Sequence, residues 1–328
     1  MRLMFALMTF SSVVQTPPEL GTVAWQRDYD AARREAARSG KPLLILFDEV
    51  PGCSTCVRYG QSVLSHPLIA DAIEASFVPV AVYNNRGGAD RQVLQSFGEP
   101  TWNNPVVRIV DAEGQALAPR LANDYQRRSL VERMERALTK LGRPVPSYLR
   151  EALDERTELA TYAMGCFWSG EACLGNIQGV RSSRTGFAAG REVVELRYDP
   201  QTISALQLHR TVLAHGCSRH ALVQNEEEAR VARQVFSRVT VSGSLRPTPS
   251  DDKHALRRTP ARFLPLTEGQ ATRVNARIAA GQGFDELLSP SQQAVWAAIR
   301  QHPDAGWKPA GTELSASMRA ARDVADRL

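Results

Sequence analysis

The chain has 328 residues, of which 43% are hydrophobic and 23% charged, and its formal net charge is +5. This composition is that of a globular protein and excludes a collagen-like, disordered or disulfide-dense small protein. The length predicts about two domains, and because no run of about 18 apolar residues occurs we expect no membrane span. The basic residues are scattered among acids, which argues against a nucleic-acid partner.

Residues 1–20 are interpreted as an export signal or as an N-terminal arm. Arg2 is followed by an apolar stretch of the length that signal peptides have, but no small-x-small cleavage site follows it. If residues 1–16 are a signal, the protein is exported or periplasmic, and otherwise it is cytoplasmic. Both locations stay open at this point.

Residues 21–146 alternate between helical and extended patterns and are predicted to form the first domain. Strands are predicted at 42–47, 77–82 and 106–110, and helices at 25–40, 53–64, 69–76, after 89, and at 129–141. Residues 111–114 are typical of a turn into a further strand. This order predicts a mixed sheet covered by helices, and the Gly-Pro-rich stretch at 142–146 marks the domain boundary.

Cys53 and Cys56 form a Cys-x-x-Cys pair directly after the first predicted strand and turn. A cysteine at the start of a helix has a lowered pKa, and a second cysteine one turn later lies within disulfide distance. The pair is therefore predicted to cycle between dithiol and disulfide, with a structural disulfide as the alternative. A zinc site would need a second pair of ligands, which this region of the sequence lacks.

Residues 24–130 resemble the thioredoxin fold. The resemblance rests on the Cys-x-x-Cys motif, on the Gly-Lys-Pro-Leu-Leu entry at 40–44 and on Asn104-Pro105 before a strand. It implies that Pro105 is the cis-proline that faces the redox pair. The family usually has Trp-Cys-Gly-Pro-Cys, whereas this chain reads Gly-Cys-Ser-Thr-Cys, which leaves the reduction potential open.

Residues 157–262 are predicted to form a second domain, followed by a helical extension at 263–328. Strands are predicted at 158–164, 193–198 and 239–242, and helices at 167–174, 203–215 and 226–238. In the extension, Thr267 begins a capping box, Gly281 ends that helix, and Ser289-Pro290 begins another. The sequence assigns no chemistry to the extension.

Cys166 is predicted at the start of a helix that follows a strand, with Phe167 and Trp168 directly after it. Such a thiol has a nucleophilic position, and the two rings can line an apolar pocket. Glu171, and Glu192 before the next strand, are candidates for a general acid. By spacing alone, each glutamate is more simply interpreted as a solvated surface residue.

The motif Gly-Cys-Phe-Trp-Ser-Gly-Glu at 165–171 resembles the signature of the A-type peptide methionine sulfoxide reductases, MsrA, and the resemblance continues through 179–204. It implies a ferredoxin-like α/β fold in which Cys166 attacks the sulfoxide sulfur and becomes a sulfenic acid. It also implies that Phe167 and Trp168 hold the substrate methyl group, with Glu171 and Phe187 beside them, and that Glu192 protonates the oxygen.

The chain departs from that family at the residues that bind the oxygen. The tyrosine that follows Thr-Gly in the family is Phe187 here, and Gly190-Arg191 precede Glu192 where the family has His-Ala. The family's later aspartate and tyrosine have no match near 215–220. Oxygen recognition is therefore expected to use fewer groups.

Cys173 and Cys217 complete an odd set of five cysteines. Cys173 is seven residues beyond Cys166, about 10 Å along one helix, which exceeds disulfide reach. We therefore interpret Cys173 as a small core residue and Cys217 as the thiol that resolves the sulfenic acid. His215, Cys217 and His220 lack a fourth metal ligand.

Together these features predict a peptide-methionine (S)-S-oxide reductase whose thioredoxin-like domain returns electrons to the catalytic cysteine. The expected substrates are oxidised methionine in proteins or free methionine sulfoxide, with an external thiol or thioredoxin system as reductant and no cofactor. The alternative is a thiol-disulfide oxidoreductase or redox sensor whose MsrA-like domain no longer turns over.

Overall fold

The computed structural model describes residues 16–102, 105–153, 156–242, 245–309, 311 and 313–328, and the chain divides into two units between Arg143 and Pro144. The expectation for a signal at 1–15 lies outside these residues. Within the described ranges, no helix is long and apolar enough to cross a membrane.

The first unit contains a three-stranded mixed sheet in the order β2-β1-β3. Its elements are α1 (Tyr29–Ser39), β1 (Leu43–Asp48), α2 (Ser54–Tyr59), α3 (Pro67–Ser76), β2 (Val78–Tyr83), α4 (Ala89–Ser96), β3 (Val106–Val110) and α5 (Arg127–Lys140). β1 pairs in parallel with β2 and antiparallel with β3. The mixed sheet covered by helices was predicted correctly.

The central strand β1 is buried at all six positions, as its continuous apolar run predicts for a strand covered on both faces. Helix α1 begins later than the predicted residue 25 because Asp28 caps it, its side chain accepting the Ala31 N–H at 2.9 Å. The helix ends at Gly40, which has the left-handed φ of 65° that favours glycine.

The strand predicted after residues 111–114 is wrong. Only isolated bridges join Val110 to Ala116 and Val107 to Leu121 in this part of the described chain. Pro119 lies between the two bridges and has no N–H to donate, so the ladder is not continuous there.

The second unit contains a six-stranded sheet in the order β8-β7-β4-β6-β5-β9. Its first elements are β4 (Glu158–Ala163), α6 (Phe167–Leu174), β5 (Val180–Ala188), β6 (Arg191–Tyr198), α7 (Ala205–Ala214), β7 (His220–Val223), α8 (Glu226–Ala232), β8 (Arg238–Val241) and β9 (Arg246–Pro247). The elements from β4 to β7 follow the β-α-β-β-α-β order with neighbouring strands antiparallel, which is the ferredoxin-like arrangement.

Strands β5 and β7 were not predicted, and α8 is shorter than the helix predicted at 226–238. Strand β5 was missed because its buried positions include Ser182, Ser183 and Thr185. A strand whose buried face carries hydroxyl side chains lacks the alternating apolar pattern by which strands are recognised.

The remaining helices are α9 (His254–Arg257), α10 (Glu268–Ala279), α11 (Pro290–Gln301) and α12 (Leu314–Ala325). The predicted caps are confirmed, since Thr267 and Ser289 both complete capping boxes. Helix α10 packs against β5 and α6, and the Ser183 N–H donates to Thr272 Oγ1 at 3.2 Å. The extension therefore supports the sheet as well as forming an apolar cluster of its own around Val295.

Candidate active sites

The dithiol of the first unit lies where β1 leads into α2. Cys53 is the N-cap of α2, and Cys56 lies one turn further on. Their sulfurs are 3.3 Å apart and both thiols are free, with Cys53 exposed and Cys56 buried. The predicted redox pair is therefore brought together without any backbone rearrangement.

The two thiols differ in their tendency to ionise. The backbone N–H of Cys56 points at the Cys53 sulfur and lowers the pKa of Cys53. Burial raises the pKa of Cys56, and the neighbouring Asp48 raises it further. Cys53 is therefore the thiol of the pair that ionises more readily, and Cys56 is the less acidic, buried one.

A buried carboxyl beside the dithiol was missed by sequence reasoning. Asp48 is the last residue of β1 and is completely buried, and burial raises its pKa to about 7. Glu19 and Glu49 are its charged neighbours. The signal available in the sequence was an aspartate at the end of an otherwise apolar run.

Pro105 is buried, but the peptide bond that joins it to Asn104 lies outside the described residues. Its predicted cis geometry therefore stays a prediction. A cis peptide bond joins Val50 to Pro51 in the loop before the dithiol.

The second site is built around the N-terminus of α6. Cys166 is the N-cap of this helix, is free, and is partly exposed. The backbone N–H of the next residue, Phe167, donates to Glu192 Oε2 at 2.8 Å. The carboxyl of Glu192 is thereby held at the helix start, one residue from the thiol.

Strand register explains why Glu192 and Phe187 share this site. They are direct cross-strand partners on β6 and β5, so their side chains lie on the same face of the sheet. Arg246 on β9 is in turn paired with Phe187, and its guanidinium lies 5.1 Å from the centre of that ring. Arg246 was not singled out from the sequence.

Aromatic rings pack against one another at the start of α6, directly after Cys166. The ring centre of Phe167 is 5.7 Å from that of Phe187 and 6.0 Å from that of Trp168. Trp168 is 40% exposed, and one of its faces is covered by the imidazole of His254, stacked at 3.8 Å. His254 carries no motif in the sequence, so its place beside Trp168 could not have been predicted.

Glu171 lies behind the site and not at its surface, which corrects its interpretation as a solvated residue. It is completely buried, and Oε1 accepts from Ser183 Oγ and Lys253 Nζ, each at 2.8 Å. Oε2 accepts the Lys253 backbone N–H at 2.7 Å. Both oxygens are occupied, so this carboxyl anchors the segment that carries His254.

The same segment is held a second time. Asp252 Oδ1 accepts the backbone N–H of Thr185 at 2.6 Å and its hydroxyl at 2.8 Å. Asp252 and Lys253 therefore fix the position of His254 against Trp168.

Cys173 and Cys217 form a disulfide, with Cα atoms 5.7 Å apart. This corrects the interpretation of Cys173 as an unpaired core residue. Cys217, predicted to resolve the sulfenic acid, has no free thiol in this state. The bridge joins the last turn of α6 to the loop after α7.

Residues 24–112 match a family model described as Thioredoxin-like. The chain is 29% identical over 118 residues to Peptide methionine sulfoxide reductase MsrA 1 of Nostoc sp., covering 26% of this chain and 72% of that protein. It is 26% identical over 175 residues to the MsrA of Salmonella typhimurium, covering 40% and 82%. A solved structure named DsbH Oxidoreductase has 18% identity and a TM-score of 0.31, covering 39% of this chain and 92% of that one.

We expect Asp48→Asn to stabilise the first unit above neutral pH. Because the folded pKa is raised from 3.8 to about 7, the folded protein binds more protons than the unfolded chain between these values. Its free energy of unfolding therefore falls as the pH rises through that window. Asparagine removes this loss, which amounts to about 4 kcal/mol at pH 8.

Pulse proteolysis in urea, with β1 peptides quantified by mass spectrometry, measures this difference for the reduced full chain at several pH values. Glu113→Gln, at an exposed acid of the same unit, is the control. A difference between Asp48→Asn and the parent that stays constant from pH 4 to 8 would contradict the assignment.

Lys253→Met should destabilise the second unit by about 3–5 kcal/mol, because it leaves the buried Glu171 carboxylate without its cation. Methionine and lysine are equally strained at the positive φ of this position, so the backbone cost is matched. Urea unfolding is the measurement. Arg277→Met, which breaks the more exposed ion pair with Glu286, should cost less than about 1 kcal/mol.

Proposed function

We propose that this chain, which joins a thioredoxin-like region to sequence similar to MsrA, reduces methionine sulfoxide at Cys166 and draws the electrons from Cys53 and Cys56. The observation that carries the proposal is the contact between Glu192 Oε2 and the Phe167 N–H. It holds an acid beside a free thiol at a helix N-terminus. A nucleophile and a proton donor are the two groups that the reaction requires.

In the first step the Cys166 sulfur attacks the sulfoxide sulfur while Glu192 delivers a proton to the oxygen. The oxygen then moves from the substrate sulfur to the Cys166 sulfur, and the bond between the two sulfurs formed by the attack breaks. Methionine leaves, and Cys166 becomes a sulfenic acid. The substrate sulfur is reduced by two electrons and the cysteine sulfur is oxidised by two, so no cofactor enters the step.

The rings of Phe167, Trp168 and Phe187 are suited to hold the thioether and methyl group of methionine, since sulfur contacts aromatic rings favourably. The imidazole of His254 stacks on Trp168 and supports the position of that ring. Phe187 offers no hydroxyl to the sulfoxide oxygen. Glu192 consequently contributes more to binding the sulfoxide oxygen. Arg246, which like Glu192 is a cross-strand partner of Phe187, is the cationic donor.

Regeneration needs a thiol from outside the second unit while Cys173 and Cys217 are bridged. The Cys53 thiolate attacks the sulfenic sulfur of Cys166 and forms a mixed disulfide, with release of water. Cys56 then attacks Cys53, which frees Cys166 and closes the Cys53–Cys56 disulfide. An external thiol or a thioredoxin system reduces that disulfide.

The second candidate is a thiol-disulfide oxidoreductase or redox sensor in which Cys166 no longer reduces sulfoxides. The absence of a hydroxyl at Phe187 favours it. A steady-state assay with separated methionine sulfoxide epimers and dithiothreitol distinguishes the two. Turnover of the S epimer supports the reductase, and no turnover of either epimer supports the sensor.

We expect Glu192→Gln to lower the turnover rate by a factor of about 10²–10⁴, toward the upper end, because glutamine cannot give a proton. The glutamine oxygen can still accept the Phe167 N–H, so the start of α6 should be retained. Cys166→Ser should abolish turnover and sets the baseline. Glu227→Gln, at an exposed acid on α8, is the matched control. An unchanged rate in Glu192→Gln would exclude it as the acid.

Cys56→Ser should trap the mixed disulfide between Cys53 and Cys166, because the serine cannot attack the bridge. Non-reducing peptide mapping after one oxidation cycle identifies the partner. A Cys53–Cys217 or Cys53–Cys173 peptide would show instead that electrons pass through the second bridge. Full turnover of Cys53→Ser with external thioredoxin would show that the first unit is not the reductant.

A further inference from the structure

The loop between β1 and α2 brings a carboxylate to the dithiol. One ligand atom each from Glu49, Cys53 and Cys56 lies within 4.8 Å of the others. From the sequence, a zinc site was not expected here because the region lacks a second pair of ligands. The third group is an oxygen ligand, which the chain places there through the turn at Pro51 and Gly52.

The loop is folded tightly over Cys56. A Cβ on Gly52 would lie 3.2 Å from the Cys56 sulfur and only 2.4 Å from the Glu49 backbone oxygen. Any larger residue at position 52 would push Glu49 and Cys56 apart. The closeness of the three ligands is therefore built into the backbone of this turn.

Two buried carboxyl groups next to these ligands each have an oxygen without a partner in the described part of the chain. Asp48 is 0% exposed and Glu19 3% exposed, and Asp48 Oδ2 and Glu19 Oε2 have no hydrogen-bond partner among the described residues. Glu19 Oε1 accepts the Gly52 N–H at 2.7 Å, so this carboxyl borders the same turn. Buried carboxylate oxygens without partners are costly, and a cation bound beside them would lower that cost.

We propose that the reduced dithiol and Glu49 form a binding site for a thiophilic divalent cation of the Zn²⁺ class, with Asp48 and Glu19 as the acidic layer behind the ligands. Two sulfurs and one carboxylate oxygen match the ligand preference of Zn²⁺ and not the all-oxygen preference of Mg²⁺ or Ca²⁺. Three protein ligands leave the fourth tetrahedral position to water.

Metal binding requires a small increase in the distance between the Cys53 and Cys56 sulfurs. Zn–S bonds of about 2.3 Å at a tetrahedral angle place two sulfurs about 3.8 Å apart, compared with 3.3 Å here. The exposed Cys53 side chain is free to rotate outward by this difference. Binding replaces two thiol protons with one cation and changes no oxidation state, so it requires no further reactant.

The consequence is a competition between metal binding and electron transfer. A Cys53 sulfur bound to the cation cannot attack a disulfide or sulfenic acid, and a Cys53–Cys56 disulfide offers no thiolate to the metal. The cation would therefore switch off the dithiol reversibly.

The test is peptide-resolved alkylation of the reduced full chain, with Zn²⁺ as the probe. One equivalent should protect Cys53 and Cys56 but leave Cys166 reactive, and a chelator added without reductant should restore both. The chelator step separates metal binding from oxidation, which would also block alkylation. Co²⁺ should give a thiolate-to-metal charge-transfer absorption that Cys53→Ser abolishes.

Glu49→Gln should weaken Zn²⁺ binding about 10–100-fold in this assay, whereas Glu113→Gln, at an exposed acid in a turn of the same unit, should leave it unchanged. The alkylation rates of Cys53 and Cys56 without metal report whether each variant keeps the native site. Equal affinity in Glu49→Gln and the parent would overturn the three-ligand site, as would the absence of protection at millimolar Zn²⁺.

Discussion

Both candidate sites depend on one constraint, the placement of a thiol as N-cap of a helix that follows a strand. Cys53 stands between β1 and α2, and Cys166 between β4 and α6. The first N–H groups of a helix have no partner within the helix, so they act on whatever group lies beside the cap. In the first unit the backbone N–H of Cys56 lowers the pKa of the Cys53 thiol. In the second unit Glu192 accepts the first N–H. The same local backbone thus favours ionisation of a thiol in one case and fixes the position of a carboxyl group in the other.

Two completely buried carboxyl groups show opposite ways of meeting the cost of desolvation. Glu171 is paired with Lys253 and hydrogen-bonded to Ser183, so it serves as a fixed anchor within the second unit. Asp48 has no such cationic partner among the described residues, and burial, with a smaller contribution from its acidic neighbours, raises its pKa to about 7. A buried carboxyl with such a pKa exchanges its proton near neutral pH. Under the proposed function, Asp48 can therefore take the proton that Cys56 loses when the mixed disulfide is resolved, whereas Glu171 is held in its pair with Lys253.

Sequence reasoning succeeded where a feature is local. The apolar run of β1, the capping boxes of α10 and α11, and the start of α6 after Cys166 are each determined by a few consecutive residues. It failed where contacts join distant segments. Lys253 reaches Glu171 across 82 positions, and nothing in residues 251–254 marks them as neighbours of Trp168. The disulfide was missed because Cys173 was compared only with Cys166 on its own helix, while its partner Cys217 lies 44 residues along the chain.

The disulfide also gives the odd number of cysteines a chemical reason. Cys53 faces Cys56, and Cys173 is bonded to Cys217, which leaves Cys166 as the thiol without a cysteine partner in its own unit. A nucleophile that becomes a sulfenic acid must then wait for a thiol from elsewhere, since the bridge in its own unit holds no thiolate. Because the dithiol unit is part of the same chain, the effective concentration of that thiol is high, and this effect needs no specific binding surface. Under the proposed function, the pairing within the second unit is thus what makes the first unit necessary.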